Sequence, residues 1–136
     1  MAYTLEYNRT LNIVELVYTG LYTTQESQES TSRAIALGKE HGDADVFVDA
    51  TEAVLAVSIF DLLDLPDRQY VAENLNRRIR VAIVPPRRPK DKEDVLFYET
   101  ACLNRGWQVR LVPNRDDAIE WLTGTGSAIK PKARDV

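Results

Sequence analysis

The chain has 136 residues, with 17 Lys and Arg against 21 Asp and Glu, one Cys, one His and a formal net charge of −4 at pH 7. A single Cys and a single His exclude a disulfide framework, a thiolate zinc site and any site built on several histidines of one chain, and we expect no metal or other cofactor. The length suits one domain with its own core. The sequence has no run of about 18 apolar residues, so no membrane span is expected, and its N-terminus lacks the pattern of a signal peptide. These features predict a cytoplasmic protein.

The chain begins with a predicted β-hairpin. The segments Tyr3–Tyr7 and Asn12–Tyr18 are rich in β-branched and aromatic residues, and the link between them is short enough for a hairpin turn. Gly20 is expected to mark the end of the second strand.

A helix follows the hairpin. Thr23 and Glu26 have the spacing of a capping box, which predicts a helix from this point to about His41. Residues 25–32 are almost wholly polar, so we expect the C-terminal half of the helix to anchor it. His41 is expected to act as a cap, because a cation is favoured at the C-terminal end of a helix.

The middle of the chain combines a buried strand with a second helix. The short apolar run Asp45–Asp49 is typical of a strand buried on both faces, and residues 50–57 are expected to form a loop. Ser58, with an acidic residue three positions later, predicts the start of a helix. Pro66 is expected either to interrupt this helix or to start a second one.

The second half of the chain repeats a strand–helix pattern. Its predicted elements are a strand at Arg78–Val84, a helix beginning around Asp91 and ending at Asn104, a strand at Trp107–Leu111 and a helix at Asp116–Leu122. The resulting order, β-β-α-β-α-β-α-β-α, predicts a single α/β domain over residues 1–123. Its core is a five-stranded mixed sheet packed by about four helices. Residues 124–136 are expected to be a disordered tail.

The usual catalytic and phosphate-binding motifs are missing. The sequence has no G-x-G-x-x-G, G-x-x-x-x-G-K-[ST], H-E-x-x-H, C-x-x-C or G-x-S-x-G. Cys102 lies on the inward face of a predicted helix, where a buried, inert thiol is expected. Asp49 and Glu52 are the one carboxylate pair near a strand end, where ligands gather in open α/β sheets. We expect Asp49 to cap the following turn, and the chain not to be an enzyme.

The net charge of −4 conceals two halves of opposite sign. Residues 1–76 hold four basic and 13 acidic side chains, whereas residues 77–136 hold 13 basic and eight acidic ones. Arg87, Arg88 and Lys90 in the Pro-rich segment are candidate contacts for an anion, with a solvated basic surface as the alternative. A nucleic-acid partner is not expected, because the chain is acidic overall.

Two stretches, together with the element order, resemble the SpoIIAA-like or STAS-like proteins. The first is Phe47-Val-Asp49, which leads through a loop to Ser58; the second is the run from Phe97 to Trp107, followed by Asp116–Leu122. The resemblance covers about residues 3–123 and implies the SpoIIAA-like fold. In anti-sigma-factor antagonists of this fold, a serine at the corresponding helix start is phosphorylated and toggles binding to a protein partner. Ser58 is therefore the candidate phospho-acceptor, although the Asp before and the Gly after the family's acceptor are replaced, and a plain N-cap is the alternative.

The same broad group is similar to lipid-carrier domains of the CRAL-TRIO type, which suggests a second use. The stretch around the second helix is unusually apolar, and its candidate pocket or interface residues are Leu55, Val57, Ile59, Phe60 and Leu63. Core burial, an apolar ligand pocket and a dimer face are the three alternatives for them. Our leading hypothesis is a regulatory or binding module that acts through protein–protein contact as a homodimer. The alternative is a carrier of a small apolar or amphipathic ligand.

Overall fold

A computed structural model describes residues 2–124, so the expected tail lies outside the described residues except for Gly124. The strands are β1 (Tyr3–Asn8), β2 (Ile13–Tyr22), β3 (Asp45–Leu55), β4 (Arg80–Val84) and β5 (Gln108–Leu111). The helices are α1 (Thr24–Glu40), α2 (Ile59–Leu65), α3 (Pro89–Asn104) and α4 (Arg115–Thr123). A π-helical turn, Pro66–Tyr70, continues directly from α2, and Pro66, which has no N–H to donate to a carbonyl of α2, lies where the helix changes its geometry.

The five strands form one mixed sheet in which spatial order follows chain order. β1 pairs with β2 in the antiparallel sense, and the remaining neighbours, β2 to β5, pair in parallel. Helices α1 to α3 cover one face of the sheet, and α4 packs on the other against β3 and β4. The predicted α/β class, the element order and the mixed five-stranded sheet are confirmed.

Two strands are longer than the sequence pattern predicts. β3 continues to Leu55, so the expected loop over residues 50–57 is wrong for most of its length, and β2 runs past Gly20 to Tyr22. The pairing register between β2 and β3 shifts between Val17 and Thr19. A bulge of this kind breaks the two-residue alternation, and Gly20 accommodates the local bend at a φ of +117°. Because the bulge interrupts the alternation of apolar and polar residues along β3, the sequence pattern indicates a short strand followed by a loop.

The N-terminal end of α1 is capped as expected, whereas at the C-terminal end His41 caps the helix through its backbone N–H and not through its imidazole. Thr23 accepts a hydrogen bond from the backbone N–H of Glu26 at 3.1 Å. His41 is the C-terminal cap, and its imidazole stacks on the ring of Tyr7 with the centroids 3.5 Å apart. This contact joins the end of α1 to the edge strand β1 and gives His41 a structural role.

Candidate ligand cavity

A cavity of about 120 Å³ lies between the sheet and helices α1 to α3. Its walls come from strands β2, β3 and β4 on one side and from all three helices on the other. Apolar side chains dominate the lining, among them Leu16, Ala34, Ile35, Val48, Ala53, Leu55, Leu62, Leu65, Ile83 and Val95. The cavity is partly open to the surface of the protein.

The polar groups of the cavity wall are hydroxyls. Tyr18, Tyr22, Thr31, Tyr70 and Tyr98 line it, and no Asp, Glu, Lys, Arg or His of the described residues does so. Burial raises the pKa of the four tyrosines above its ordinary value of 10.0. The whole lining is therefore uncharged at neutral pH.

Two of these tyrosines bind the polar half of α1. The hydroxyl of Tyr22 donates to Ser27 Oγ at 2.8 Å, and the hydroxyls of Tyr18 and Ser30 are hydrogen-bonded to each other. Both serines are buried, with 3% and 0% of their surface exposed. The expectation that α1 is anchored mainly by its C-terminal half is therefore incomplete. The sequence does contain a signal for this contact: the two serines are three positions apart on one face of α1, and the two tyrosines are four positions apart on β2. A search for apolar residues alone does not detect such a pairing of polar groups.

The opposite side of the cavity carries a second hydroxyl pair. The hydroxyls of Tyr70, on the π-helical turn, and Tyr98, on α3, are hydrogen-bonded to each other. Tyr70 also packs edge-on against Trp107 with ring centroids 5.6 Å apart. The π-helical turn thus places Tyr70 at the cavity wall, in contact with two residues that are far from it in the sequence, Tyr98 and Trp107.

Cys102 is fully buried beside Tyr98, and burial raises the pKa of its thiol to about 12. Because the thiolate is the reactive form, we expect thiol-specific reagents to leave the folded protein unlabelled at about pH 8. Mass spectrometry after brief iodoacetamide treatment checks this, with the urea-unfolded protein as the control that should be labelled fully. Rapid labelling of the folded protein would contradict the buried placement.

The five expected pocket or interface residues occupy different environments. Leu55 lines the cavity. Val57, Ile59 and Leu63 are half-buried and pack against the core on the same side of the sheet. Phe60 is 81% exposed, so the apolar stretch serves partly as core and partly as surface.

Asp49 and Glu52 each have a separate partner in the fold. Asp49 lies within β3 and not at its end, and its Oδ1 accepts hydrogen bonds from the N–H and the hydroxyl of Thr51 at 3.0 and 2.7 Å. Glu52 pairs with Arg87 at 2.6 Å. The turn that Asp49 was expected to cap does not form, because β3 continues to Leu55, and the carboxylate instead binds Thr51 within the strand. Among residues 2–124, no cluster of three or more His, Cys, Asp or Glu side chains is arranged to hold a metal ion.

The three candidate anion contacts are all engaged by acidic side chains. Arg87 pairs with Glu52, Arg88 with Asp91 at 3.4 Å, and Lys90 with Asp94 at 3.0 Å. Their positive charges are thus largely compensated within the fold, which weakens the case for an anion site in this segment.

Ser58 is exposed at the N-terminus of α2, and its Oγ accepts a hydrogen bond from the N–H of Asp61 at 3.1 Å. This is the geometry of an N-cap. Nothing in the fold distinguishes Ser58 further as a phospho-acceptor.

Replacing Ser58 by Ala is expected to lower the free energy of unfolding by about 1 kcal/mol, because the backbone donor it caps is left to water. Ser58→Asp, which can cap equally well, should leave stability within about 0.5 kcal/mol of the wild type. Urea denaturation followed by circular dichroism measures both changes. Equal losses for the two variants would show that the hydroxyl does more than cap.

Comparison with known proteins places the chain by its fold. No family model and no curated protein matches the sequence. Four solved chains match the structure. One is an uncharacterised protein of the DUF3478 family from Shewanella loihica PV-4 with a SpoIIAA-like fold; it is 18% identical, with a TM-score of 0.54, and the match covers 89% of this chain and 92% of that one. The chain therefore has a SpoIIAA-like fold, as the sequence resemblance implies.

None of its described helices has the length and apolar character needed to cross a membrane.

Proposed function

We propose that this chain is a non-enzymatic binding module that holds a small apolar or amphipathic molecule in its tyrosine-lined cavity. The observation that carries the proposal is the uncharged, mostly apolar lining of a partly open cavity of about 120 Å³. An engineered apolar cavity of about 150 Å³ binds benzene, so a space of this size suits a ligand of one ring or a short aliphatic chain. The resemblance to lipid-carrier domains agrees with this use.

The proposal is tested by measuring whether an apolar probe binds and whether filling the cavity prevents it. Toluene is added to the full chain, and binding is followed by the rise in melting temperature and by chemical-shift changes at residues of the cavity wall. Ala53→Val adds two methyl groups at the wall and should weaken toluene binding at least about fivefold, since filled space cannot take the probe. Ala56→Val makes the same change at an exposed position and should leave binding unchanged.

Two outcomes would count against the cavity as a ligand site. The first is no change in melting temperature or chemical shift at saturating toluene. The second is equal binding by the Ala53→Val variant and by wild type, which would place the probe elsewhere.

A second candidate function is regulation through a protein contact, with a second copy of the chain as the first partner to test. It is favoured by Phe60, an aromatic ring 81% exposed on α2. Sedimentation of the wild type and of Phe60→Ser over a range of concentrations tests this idea. A dimer that the substitution dissociates would support it, and a wild type that remains monomeric throughout would reject a homodimer.

A further inference from the structure

We propose, building on the ligand-binding role above, that the ligand is an uncharged compound of about one ring whose single polar group is a hydroxyl. Three properties of the cavity lead to this class: its lack of charge, the state of its hydroxyl groups and its size. Each restricts the ligand in a different way.

The lack of charge excludes carboxylates, phosphates and ammonium compounds with the charged group inside the cavity. No described Lys, Arg, His, Asp or Glu lines it, and its tyrosines are held neutral by burial. A charge taken into such a space would have no partner, and an unpaired buried charge is very unfavourable. The ligand must therefore be neutral where it is enclosed.

Most hydroxyl groups around the cavity form hydrogen bonds with one another. Tyr22 donates to Ser27 Oγ at 2.8 Å. The hydroxyls of Tyr18 and Ser30 share a hydrogen bond in which either oxygen can be the donor, and Ser30 Oγ also lies 3.4 Å from the carbonyl oxygen of Ser27. A hydroxyl has one proton but two lone pairs, so the Tyr18 and Tyr22 oxygens keep acceptor capacity.

The pair on the other wall complements these acceptors. One of Tyr70 and Tyr98 donates to the other, and Tyr98 is also hydrogen-bonded to the Cys102 thiol, so the tyrosine proton left for a ligand is that of Tyr70. A ligand hydroxyl donates and accepts, so it can use the free acceptors and the remaining donor. A ketone or an ether can only accept, and a hydrocarbon does neither.

The size of the cavity limits the rest of the molecule. A space of about 120 Å³ is slightly smaller than the cavity of about 150 Å³ that holds benzene, so the ligand body is one ring or an aliphatic group of similar volume. Phenols and small alcohols combine this body with one hydroxyl.

The experiment compares three probes of similar size on the full chain by calorimetry or by titration followed with chemical shifts. They are p-cresol, 4-fluorotoluene, which replaces the hydroxyl with a fluorine of similar size, and benzoate, which carries a charge. We expect p-cresol to bind about fivefold tighter than 4-fluorotoluene, as one added hydrogen bond allows, and benzoate to show no binding.

Two variants assign the preference to the tyrosine hydroxyls. Tyr22→Phe and Tyr70→Phe should each bring the ratio of p-cresol affinity to 4-fluorotoluene affinity closer to one, because each removes a hydroxyl that the ligand hydroxyl can use. Using one variant on each wall keeps the test interpretable if either variant folds poorly, and circular dichroism identifies such a variant.

The outcomes separate this inference from the proposed function. If 4-fluorotoluene and p-cresol bind equally, the cavity is a ligand site but the hydroxyl inference is wrong. If benzoate binds as well as p-cresol, the neutral class is wrong. If no probe binds, the cavity function itself fails and this inference fails with it.

Discussion

Raising the pH from about 9 to about 11 is expected to destabilise the folded protein steeply, because its buried hydroxyls and thiol must remain protonated. Burial raises the pKa of Tyr18, Tyr22, Tyr70 and Tyr98 above 10.0, and raises that of Cys102 from 9.0 to about 12. In the unfolded chain the same groups ionise near their ordinary values. The unfolded state therefore releases protons first as the pH rises.

The sign and size of the effect follow from that difference. Stability from these groups is complete below about pH 9 and falls at higher pH, because the native state then binds more protons than the unfolded state. Each group contributes a loss of up to about 1.4 kcal/mol per pH unit once its unfolded form is ionised. Because several groups titrate together, raising the pH by one unit near pH 10.5 is expected to remove a large share of the free energy of unfolding of an ordinary domain.

Urea denaturation at a series of pH values measures this loss, and the ultraviolet absorbance of tyrosinate reports which rings ionise before unfolding. Tyr98→Phe removes one titrating group and should make the decline with pH shallower by about one group's share. Phe60→Tyr is a matched control, because it adds a hydroxyl at an exposed position and should leave the decline unchanged. A free energy of unfolding that stays constant to about pH 11 would show that the tyrosines are not held neutral by burial.

The sequence predicted the elements of the fold better than it predicted the cavity. Capping residues such as Thr23 and Ser58 act within one turn of chain, so their partners can be inferred from spacing alone. The end of β3 could not be inferred, because the bulge between the Val17 and Thr19 pairs depends on pairing with another strand.

The cavity itself depends on contacts between residues that are far apart in the sequence. Tyr70 and Tyr98 are 28 positions apart, and neither has a local pattern that points to the other. Leu55 was a candidate because apolar residues cluster around it, yet the same reasoning selected Phe60, which is exposed. Composition indicates that a segment is apolar, but only packing decides which side chains face an internal space.

Asp91 lies in the first turn of α3 and is buried, with 3% of its surface exposed. Its Oδ2 accepts a hydrogen bond from the backbone N–H of Leu55 at 3.1 Å and lies 3.4 Å from Nε of Arg88. Leu55 and Val95 both line the cavity, so this carboxylate links the end of β3 to the helix that closes the cavity. The contact is therefore a structural support of the proposed ligand site.

Replacing Asp91 by Ala is expected to lower the free energy of unfolding by about 1–4 kcal/mol. The Leu55 N–H loses its partner, which costs about 1–3 kcal/mol, and the helix N-terminus loses a favourable charge worth about 0.3–1 kcal/mol. Asp91→Asn keeps an acceptor oxygen but not the charge, so it should lose less than half as much. Asp64→Ala breaks the solvent-exposed pair with Arg68 and serves as the control, with an expected loss below about 0.5 kcal/mol.

The same variants test whether the contact supports the cavity as well as the fold. If Asp91 holds Leu55 in place against α3, Asp91→Ala should weaken 4-fluorotoluene binding under conditions where the variant is still folded, while Asp64→Ala should not. Urea denaturation and probe titration on the same samples separate the two effects, because stability and affinity are measured independently.

A stability loss for Asp91→Ala no larger than that of Asp64→Ala would show that the Leu55 hydrogen bond is replaced by water. Unchanged affinity with reduced stability would confine the role of Asp91 to the fold.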